Sequence, residues 1–197
     1  RQMCIRDSSV AAFNEANAGS LVALAGFEMT WSGGPGHINT WNTPGIVSRN
    51  NATLNNKTAD AGMKAYYSLL SQPEGADSIS QFNHPGTTFG NFSDFSYWDP
   101  VIDSRMYMVE VGNGEGQIGA GGYYPSYEQY IMALDKGWHL APTNNQDNHK
   151  GRWGNANDAR DVILTDNFTE EGIYEAIRAL RMYATEDKNL ELSLIHI

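Results

Sequence analysis

The sequence predicts an α/β fold built on a parallel sheet or barrel, because strand-like apolar runs alternate with amphipathic helical segments along its length. Short turns rich in Gly, Pro or Asn separate these segments, and no internal repeat or low-complexity tract interrupts them. The chain has 197 residues, of which 41% are apolar, and this is enough to bury the core of one domain.

The first part of the chain predicts one helix and two strands. A helix is expected at residues 10–18, with Gly19 as its stop. Residues 21–28 form a continuous apolar run that closes with Glu28, a pattern typical of a buried parallel strand with its carboxyl end at a site. After a glycine-rich turn, residues 37–42 form a second short strand candidate.

The middle of the chain predicts a helix followed by two further strands. An Asn/Thr-rich loop at 43–58 leads into a helix whose apolar face is expected to hold Ala61, Ala65, Tyr66 and Leu69. The next strands are predicted at 78–83 and 106–111, with an aromatic loop or short helix at 91–103 between them.

The last part predicts two more helices and two more strands. A helix at 127–136, ended by Gly137, precedes an apolar strand at 138–141. A strand is expected at 161–165, and Thr169 is a suitable N-cap for a final helix at 170–182.

Potential metal ligands follow several of these strands. Glu28, His84 and Glu110 close three strands, the pair Asp147 and His149 follows a fourth, and His37 begins a fifth segment. Residues at the carboxyl ends of parallel strands meet along one rim, and Asp-x-His on an extended backbone can bind one ion with both side chains. His and carboxylate ligands without cysteine favour Zn, Mn or Fe in a hydrolytic site. We therefore predict a metal cluster on this rim.

Five short motifs, in order, resemble those of PHP-domain metallohydrolases (the polymerase and histidinol phosphatase family), and more closely the CehA/McbA-like branch. The resemblance runs from about Leu21 to Leu190. The motifs are Gly-Phe-Glu-Met-Thr at 26–30, Gly-His-Ile-Asn at 36–39, Phe-Asn-His-Pro at 82–85, Val-Glu-Val-Gly-Asn at 109–113 and Asn-Gln-Asp-Asn-His at 145–149.

This resemblance implies a distorted (β/α)7 barrel with two or three divalent ions that cleaves phosphoester bonds. Glu28 would bridge two metals, and His37 and His84 would complete the second. Asp147 would bind the first metal and His149 the third. Glu28, Asp147 and His149 are accordingly the catalytic candidates.

The family opens with a His-x-His motif and a later Asp-His pair, and neither occurs before Leu21. Residues 1–8 and 192–197 also look like translated adapter sequence, so the native part is expected at 9–191. We expect a fragment of the barrel that lacks its first strand-helix units, with weak metal binding and little or no activity. Cys4, the only cysteine, lies in the adapter-like start, which excludes a thiolate nucleophile or a Cys-type zinc site from the remainder.

Other charged residues have less specific roles. Glu110 is interpreted chiefly as a carboxylate that orients a ligand or loop, and His139 as a structural histidine. Lys150, Arg152 and Arg160 are tentative contacts for a substrate phosphate, with a solvated basic loop as an equal alternative.

Composition restricts the partners. A net charge of −10 and a pI near 4.8 argue against extended nucleic acid or an anionic membrane. A nucleotide or small-molecule phosphoester stays possible because bound metal supplies a local positive field. The lack of cysteine after the adapter-like start, the acidity and the Asn and aromatic content favour an extracellular or cell-surface domain of a larger protein, with a cytoplasmic location as the alternative.

Two other functions were considered. The first is another metallohydrolase chemistry of amidohydrolase type. The second is a non-catalytic carbohydrate- or protein-binding module of a secreted protein, suggested by the abundance of Asn, Gly, Tyr and Trp.

Overall fold

The computed structural model describes residues 2–31, 34–45, 54 and 60–192 and has a mixed α/β architecture. Most of the predicted loop at 43–58 lies outside these residues, as do Arg1 and 193–197 of the adapter-like ends. Within the described ranges, no helix combines the length and apolar character needed to cross a membrane.

The elements follow one another in a largely alternating order. The helices are α1 (Gln2–Ala16), α2 (Ala61–Leu70), α3 (Phe92–Phe95), α4 (Pro100–Asp103), α5 (Tyr127–Asp135) and α6 (Glu170–Arg178), with a 3-10 turn at Pro73–Gly75. The strands are β1 (Gly26–Thr30), β2 (His37–Trp41), β3 (Ile79–Asn83), β4 (Met106–Asn113), β5 (Tyr124–Pro125), β6 (Ala141–Asn145), β7 (Arg160–Ile163) and β8 (Met182–Thr185).

The main sheet is mixed, so the prediction of a parallel sheet is only partly correct. β3, β4 and β6 are parallel neighbours, whereas β1, β2 and β3 pair antiparallel. Only residues 31–36 separate β1 from β2, and a parallel crossover needs about a dozen residues or more. The short β5 is antiparallel to β4, and β7 and β8 form a separate antiparallel pair.

Several predicted strands begin too early in the chain. The apolar run at 21–28 enters the sheet only from residue 26, because Val22 and Leu24 pack against a hydrophobic cluster without strand pairing. Glu28 therefore lies inside β1 and not at its end. Glu110 likewise lies within β4. The strand expected at 138–141 is displaced to Ala141–Asn145, which brings it closer to Asp147.

Helical faces also differ in part from the prediction. Tyr66 is buried on α2, but Leu69 is 41% exposed, and Met63 and Leu70 complete the buried face instead. The final helix stops at Arg178, earlier than the expected residue 182. Leu180 has φ 53, a left-handed turn that ends α6 and lets the chain enter β8.

Hydrophobic clusters lie against both faces of the sheet. The larger cluster includes Phe82 and Val109, together with side chains of α2 and α5. The smaller cluster includes Ile79 and Met108 and the apolar face of α6. Because side chains alternate along a strand, the polar Gln81 shares the face of Ile79. Polar site residues and the smaller cluster therefore lie on the same side of the sheet.

Candidate metal centre

Three side chains from adjacent strands converge at one edge of this face. Glu28 comes from β1, His37 begins β2, and His84 directly follows β3. Each offers a ligand atom, and these atoms all lie within 4.8 Å of one another. The antiparallel register pairs Glu28 with Asn39 and His37 with Asn83, so strand pairing itself aligns the three positions.

Hydrogen bonds orient the Glu28 carboxylate. Asn83 Nδ2 donates to Oε1 at 2.9 Å, Thr30 Oγ1 donates to Oε2 at 3.3 Å, and His37 Nδ1 lies 3.6 Å from Oε1. Burial acts to raise the pKa of Glu28, but the neighbouring His37 ring and the hydrogen bond from Asn83 outweigh it and lower the pKa to about 2. Glu28 is thus ionised at neutral pH, as a metal ligand must be.

The imidazole of His84 is buried, and one of its ring nitrogens has no partner among the described residues. The residue is 7% exposed, and its Nδ1 makes no hydrogen bond within the described part of the chain. Burial, together with the nearby His37, lowers the pKa of His84 and favours the neutral ring that binds metals. An unsatisfied buried nitrogen is uncommon and is readily explained by an ion in this position.

An aromatic side chain lies beside the two histidines. Gly86 and Gly90 exchange backbone hydrogen bonds of 2.9 and 3.0 Å and close a tight loop that holds Phe89. The Phe89 ring centroid is 5.4 Å from that of His37 and 4.6 Å from that of His84. Phe89 therefore forms an apolar wall next to the candidate ligands.

Asp147 and His149 lie outside the tight group of three. The charge of Asp147 acts on His84, so the two are near neighbours. The Asp147 side chain is 42% exposed, whereas that of His149 is 77% exposed. His149 Nδ1 lies 2.7 Å from the carbonyl oxygen of Asp147. Three of the five predicted ligands are thus gathered together, one lies beside them, and His149 is directed to its own loop.

Glu110 occupies the centre of a buried polar network. Its carboxylate accepts hydrogen bonds from the His84 backbone N–H at 2.6 Å and from the amides of Asn113 and Asn145 at 2.9 Å each. Burial raises the pKa of Glu110 to about 8, although these donors act in the opposite direction. The carboxyl oxygens of Glu110 are thus surrounded by N–H donors, and its interpretation as an orienting group stays a prediction.

The amide residues of this network were not singled out by sequence reasoning. Gln81, Asn83, Asn113 and Asn145 lie at or near the ends of three parallel strands, within or beside the motifs that carry the ligands. Buried amides on strand-end positions are a usable signal, because a strand interior normally excludes them unless they have partners.

The tentative phosphate contacts are already engaged within the protein. Lys150 Nζ lies 3.5 Å from Glu115, and Arg152 donates to the Ala156 carbonyl at 3.1 Å. Arg160 donates to the carbonyls of Asn157, Ala159 and Gly154. His139, expected to be structural, pairs with Asp103 through its ring nitrogen at 2.7 Å and its backbone N–H at 2.9 Å.

A cavity of about 600 Å³ is lined by two of the three ligand candidates, Glu28 and His84. Its walls combine amides with apolar side chains of the smaller hydrophobic cluster. Among the described residues, the lining includes several acidic residues but one basic residue, Arg160. The acidic lining residues are Glu28, Glu110, Asp147 and Asp161. A phosphate would be repelled by such a lining unless bound cations reversed the local field. One carboxylate and two imidazoles at strand ends form a donor set that fits a divalent transition metal.

Comparisons with known proteins agree with this architecture. No family model matches the chain, and no curated protein matches it. Among solved structures, the chain is similar to a two-domain protein from Bacteroides vulgatus that contains a predicted PHP-like metal-dependent phosphoesterase. The TM-score is 0.54 at 19% identity, and the match covers 95% of this chain. The chain spans about half the length of that structure (49%), and the likeness shows a shared fold.

Proposed function

We propose that the chain forms part of a metal-dependent phosphoesterase of PHP type, of the CehA/McbA-like branch, built on a distorted (β/α)7 barrel. The observation that carries this proposal is the convergence of Glu28, His37 and His84, with a buried His84 nitrogen that has no hydrogen-bond partner among the residues that the structure describes. The shared fold with a protein that contains a PHP-like phosphoesterase supports the same reaction class.

Within this proposal, Glu28, His37 and His84 hold divalent ions, and Asp147 adds a further carboxylate beside them. Such ions lower the pKa of a water molecule to near neutral and offset charge on a phosphoryl group. The chain's own residues bind and orient. The Asn83 and Thr30 hydrogen bonds fix Glu28, and Phe89 limits the approach of water along one side of the imidazoles.

We further propose that this centre is incomplete within the present sequence. The printed chain contains no His-x-His, and His149 is turned towards the Asp147 backbone. Additional ligands from a longer protein would complete a centre of two or three Zn, Mn or Fe ions and draw His149 inward. The chain alone is expected to bind metal weakly.

Calorimetric titration of the chain with Mn²⁺ and Zn²⁺ tests the site. We expect weak binding that His84→Ala abolishes and that the control His139→Ala retains, because His139 pairs with Asp103 away from the cluster. Equal binding by all three proteins would overturn the assignment of the centre. Tight, stoichiometric binding by the wild-type chain would contradict the proposed incompleteness.

Activity is tested on the longer protein that contains this chain. Aryl phosphomonoesters and phosphodiesters with added Mn²⁺ should be hydrolysed, and His84→Ala should abolish turnover. Hydrolysis that survives the substitution unchanged would exclude this centre as the source of activity. Hydrolysis of amides in place of phosphoesters would favour the amidohydrolase-type alternative.

A further inference from the structure

The Glu110 carboxylate lies in the middle strand of the three parallel strands and is surrounded by N–H donors. Glu110 is 3% exposed. Oε2 accepts from the His84 backbone N–H at 2.6 Å and from Asn113 Nδ2 at 2.9 Å. Oε1 accepts from Asn145 Nδ2 at 2.9 Å and faces Gln81 Nε2 at 3.5 Å. One carboxylate therefore joins the ends of β3, β4 and β6.

The contact with His84 constrains an unusual backbone conformation. His84 has φ 30, a positive value that residues with a side chain seldom adopt. Its backbone N–H donates directly to Glu110, and its ring belongs to the group of three ligand candidates. Because three side-chain amides hold the Glu110 carboxyl group in place, its hydrogen bond to the His84 N–H sets the direction in which the His84 ring leaves the backbone.

A second connection runs from the same network to Glu28. Thr143 Oγ1 donates to Gln81 Oε1 at 3.0 Å, and Gln81 Nε2 donates to Asn83 Oδ1 at 2.9 Å. Asn83 Nδ2 then donates to Glu28 Oε1 at 2.9 Å. Gln81 Nε2 also faces Glu110 Oε1. The position of this Glu110 oxygen therefore determines which way the Gln81 amide is turned, and through it the Asn83 amide.

We propose that Glu110 is a positioning residue that orients His84 directly and Glu28 through Gln81 and Asn83. The inference rests on the proposed function for its metal-binding consequence, whereas the orientation itself is a property of the metal-free chain. Glu110 stays out of the ligand set because its two oxygens are occupied by N–H donors. Groups that orient metal ligands typically change metal affinity by about 10–100-fold when they are replaced.

The experiment compares Glu110→Gln with the control Glu128→Gln. Both replace a carboxyl group by an amide of the same size, but Glu128 is exposed in the first turn of α5. In Glu110→Gln an NH2 group replaces one of the two carboxyl oxygens. If it replaces Oε2, the N–H donors of His84 and Asn113 face another donor. If it replaces Oε1, the same happens to the amides of Asn145 and Gln81. Either outcome disturbs one of the two connections.

The first measurement uses the metal-free protein. We expect the ¹⁵N–¹H signal of the His84 backbone amide or of the Gln81 side-chain amide to shift in Glu110→Gln, and both to keep their wild-type positions in Glu128→Gln. Unchanged signals in both variants would overturn the inference. This readout does not depend on metal binding, so it also decides the matter if the proposed function is wrong.

The second measurement is a Co²⁺ titration followed by visible absorption. Glu110→Gln should bind Co²⁺ about 10–100-fold more weakly than wild type, with Glu128→Gln unchanged. Equal affinities would overturn the inference, and no Co²⁺ binding by wild type would instead contradict the proposed function. If Glu110→Gln does not fold, Asn113→Ala removes one donor of the same carboxylate. It should still shift the His84 amide, and an unshifted signal would count against Glu110.

Discussion

Two carboxylates beside this cavity have pKa values shifted in opposite directions. Glu28 receives hydrogen bonds that lower its pKa to about 2. Asp161 lies in β7 against the same cavity and accepts a hydrogen bond from the Asn144 backbone N–H at 2.6 Å. Burial nevertheless raises the pKa of Asp161 to about 6, because one hydrogen bond does not replace the lost hydration. Glu28 keeps part of its hydration because its side chain is 41% exposed, so hydration and hydrogen-bond donors together determine the pKa of each carboxylate.

Asp161→Asn should therefore stabilise the protein at neutral pH. A pKa raised from 3.8 to about 6 means that the folded state holds a proton which the unfolded state releases between these values. The stability contributed by the protonated form is complete below about pH 4 and is lost as pH rises through 6. Asp161→Asn does not lose this stability as the pH rises. The difference in free energy of unfolding between the variant and the wild type should therefore be on the order of 2 kcal/mol more favourable to the variant at pH 7.5 than at pH 4.

Thermal unfolding of both proteins between pH 4 and 8 measures this effect. The exposed Asp166→Asn serves as the control and should follow the wild-type curve. If the difference in stability between Asp161→Asn and the wild type is the same at every pH in this range, the carboxyl group does not titrate as described.

Helix α6 begins with an N-cap residue whose side chain binds the first turn. Thr169 adopts an extended conformation, and its side chain accepts a hydrogen bond from Gly172 N at 3.2 Å. Ser126 occupies the equivalent N-cap position of α5 but makes no side-chain hydrogen bond to that helix. The same residue class therefore contributes differently at two helix starts.

Thr169→Ala should lower the free energy of unfolding by about 1 kcal/mol, because the N–H of Gly172 loses its acceptor. Ser126→Ala should lower the free energy of unfolding by less, because the Ser126 side chain makes no capping hydrogen bond to α5. Denaturant unfolding of the two variants provides the comparison. A larger loss in Ser126→Ala would argue against capping as the cause.

Element boundaries show where sequence reasoning succeeds. The strands at 37–42 and 78–83 and the helix at 127–136 were predicted to within a residue or two of their observed ends, because turn residues and helix stops are local signals. The apolar run at 21–28 misled the prediction. Its first residues are apolar because they pack against the smaller cluster, and apolar character alone does not distinguish packing from strand pairing.

Across the whole molecule, the larger cluster is organised around Phe82. Its ring lies 4.5 Å from that of Phe92 and 5.1 Å from those of Phe95 and Trp138, measured between centroids. Phe82 is fully buried and belongs to β3, the strand that leads into His84. The aromatic segment at 91–103 therefore packs against β3, the strand that His84 directly follows.

Phe82→Ala should destabilise the protein by about 3–5 kcal/mol, because it removes a buried ring and leaves a cavity among other rings. Phe168→Ala, at a residue that is 50% exposed, should change the free energy of unfolding little. Denaturant unfolding measures both. Comparable losses in the two variants would show that the aromatic cluster is not the main core.

The sequence by itself determined the α/β class and placed His84 and Asp147 near the ends of strands. These features follow from local periodicity and turn chemistry, which short stretches of chain encode. Only the tertiary structure decided that β1 and β2 run antiparallel, that Glu28, His37 and His84 form the tight group while His149 turns to its own loop, and that buried amides surround Glu110. Such relations depend on register and packing between residues far apart in the chain, for which no local pattern exists.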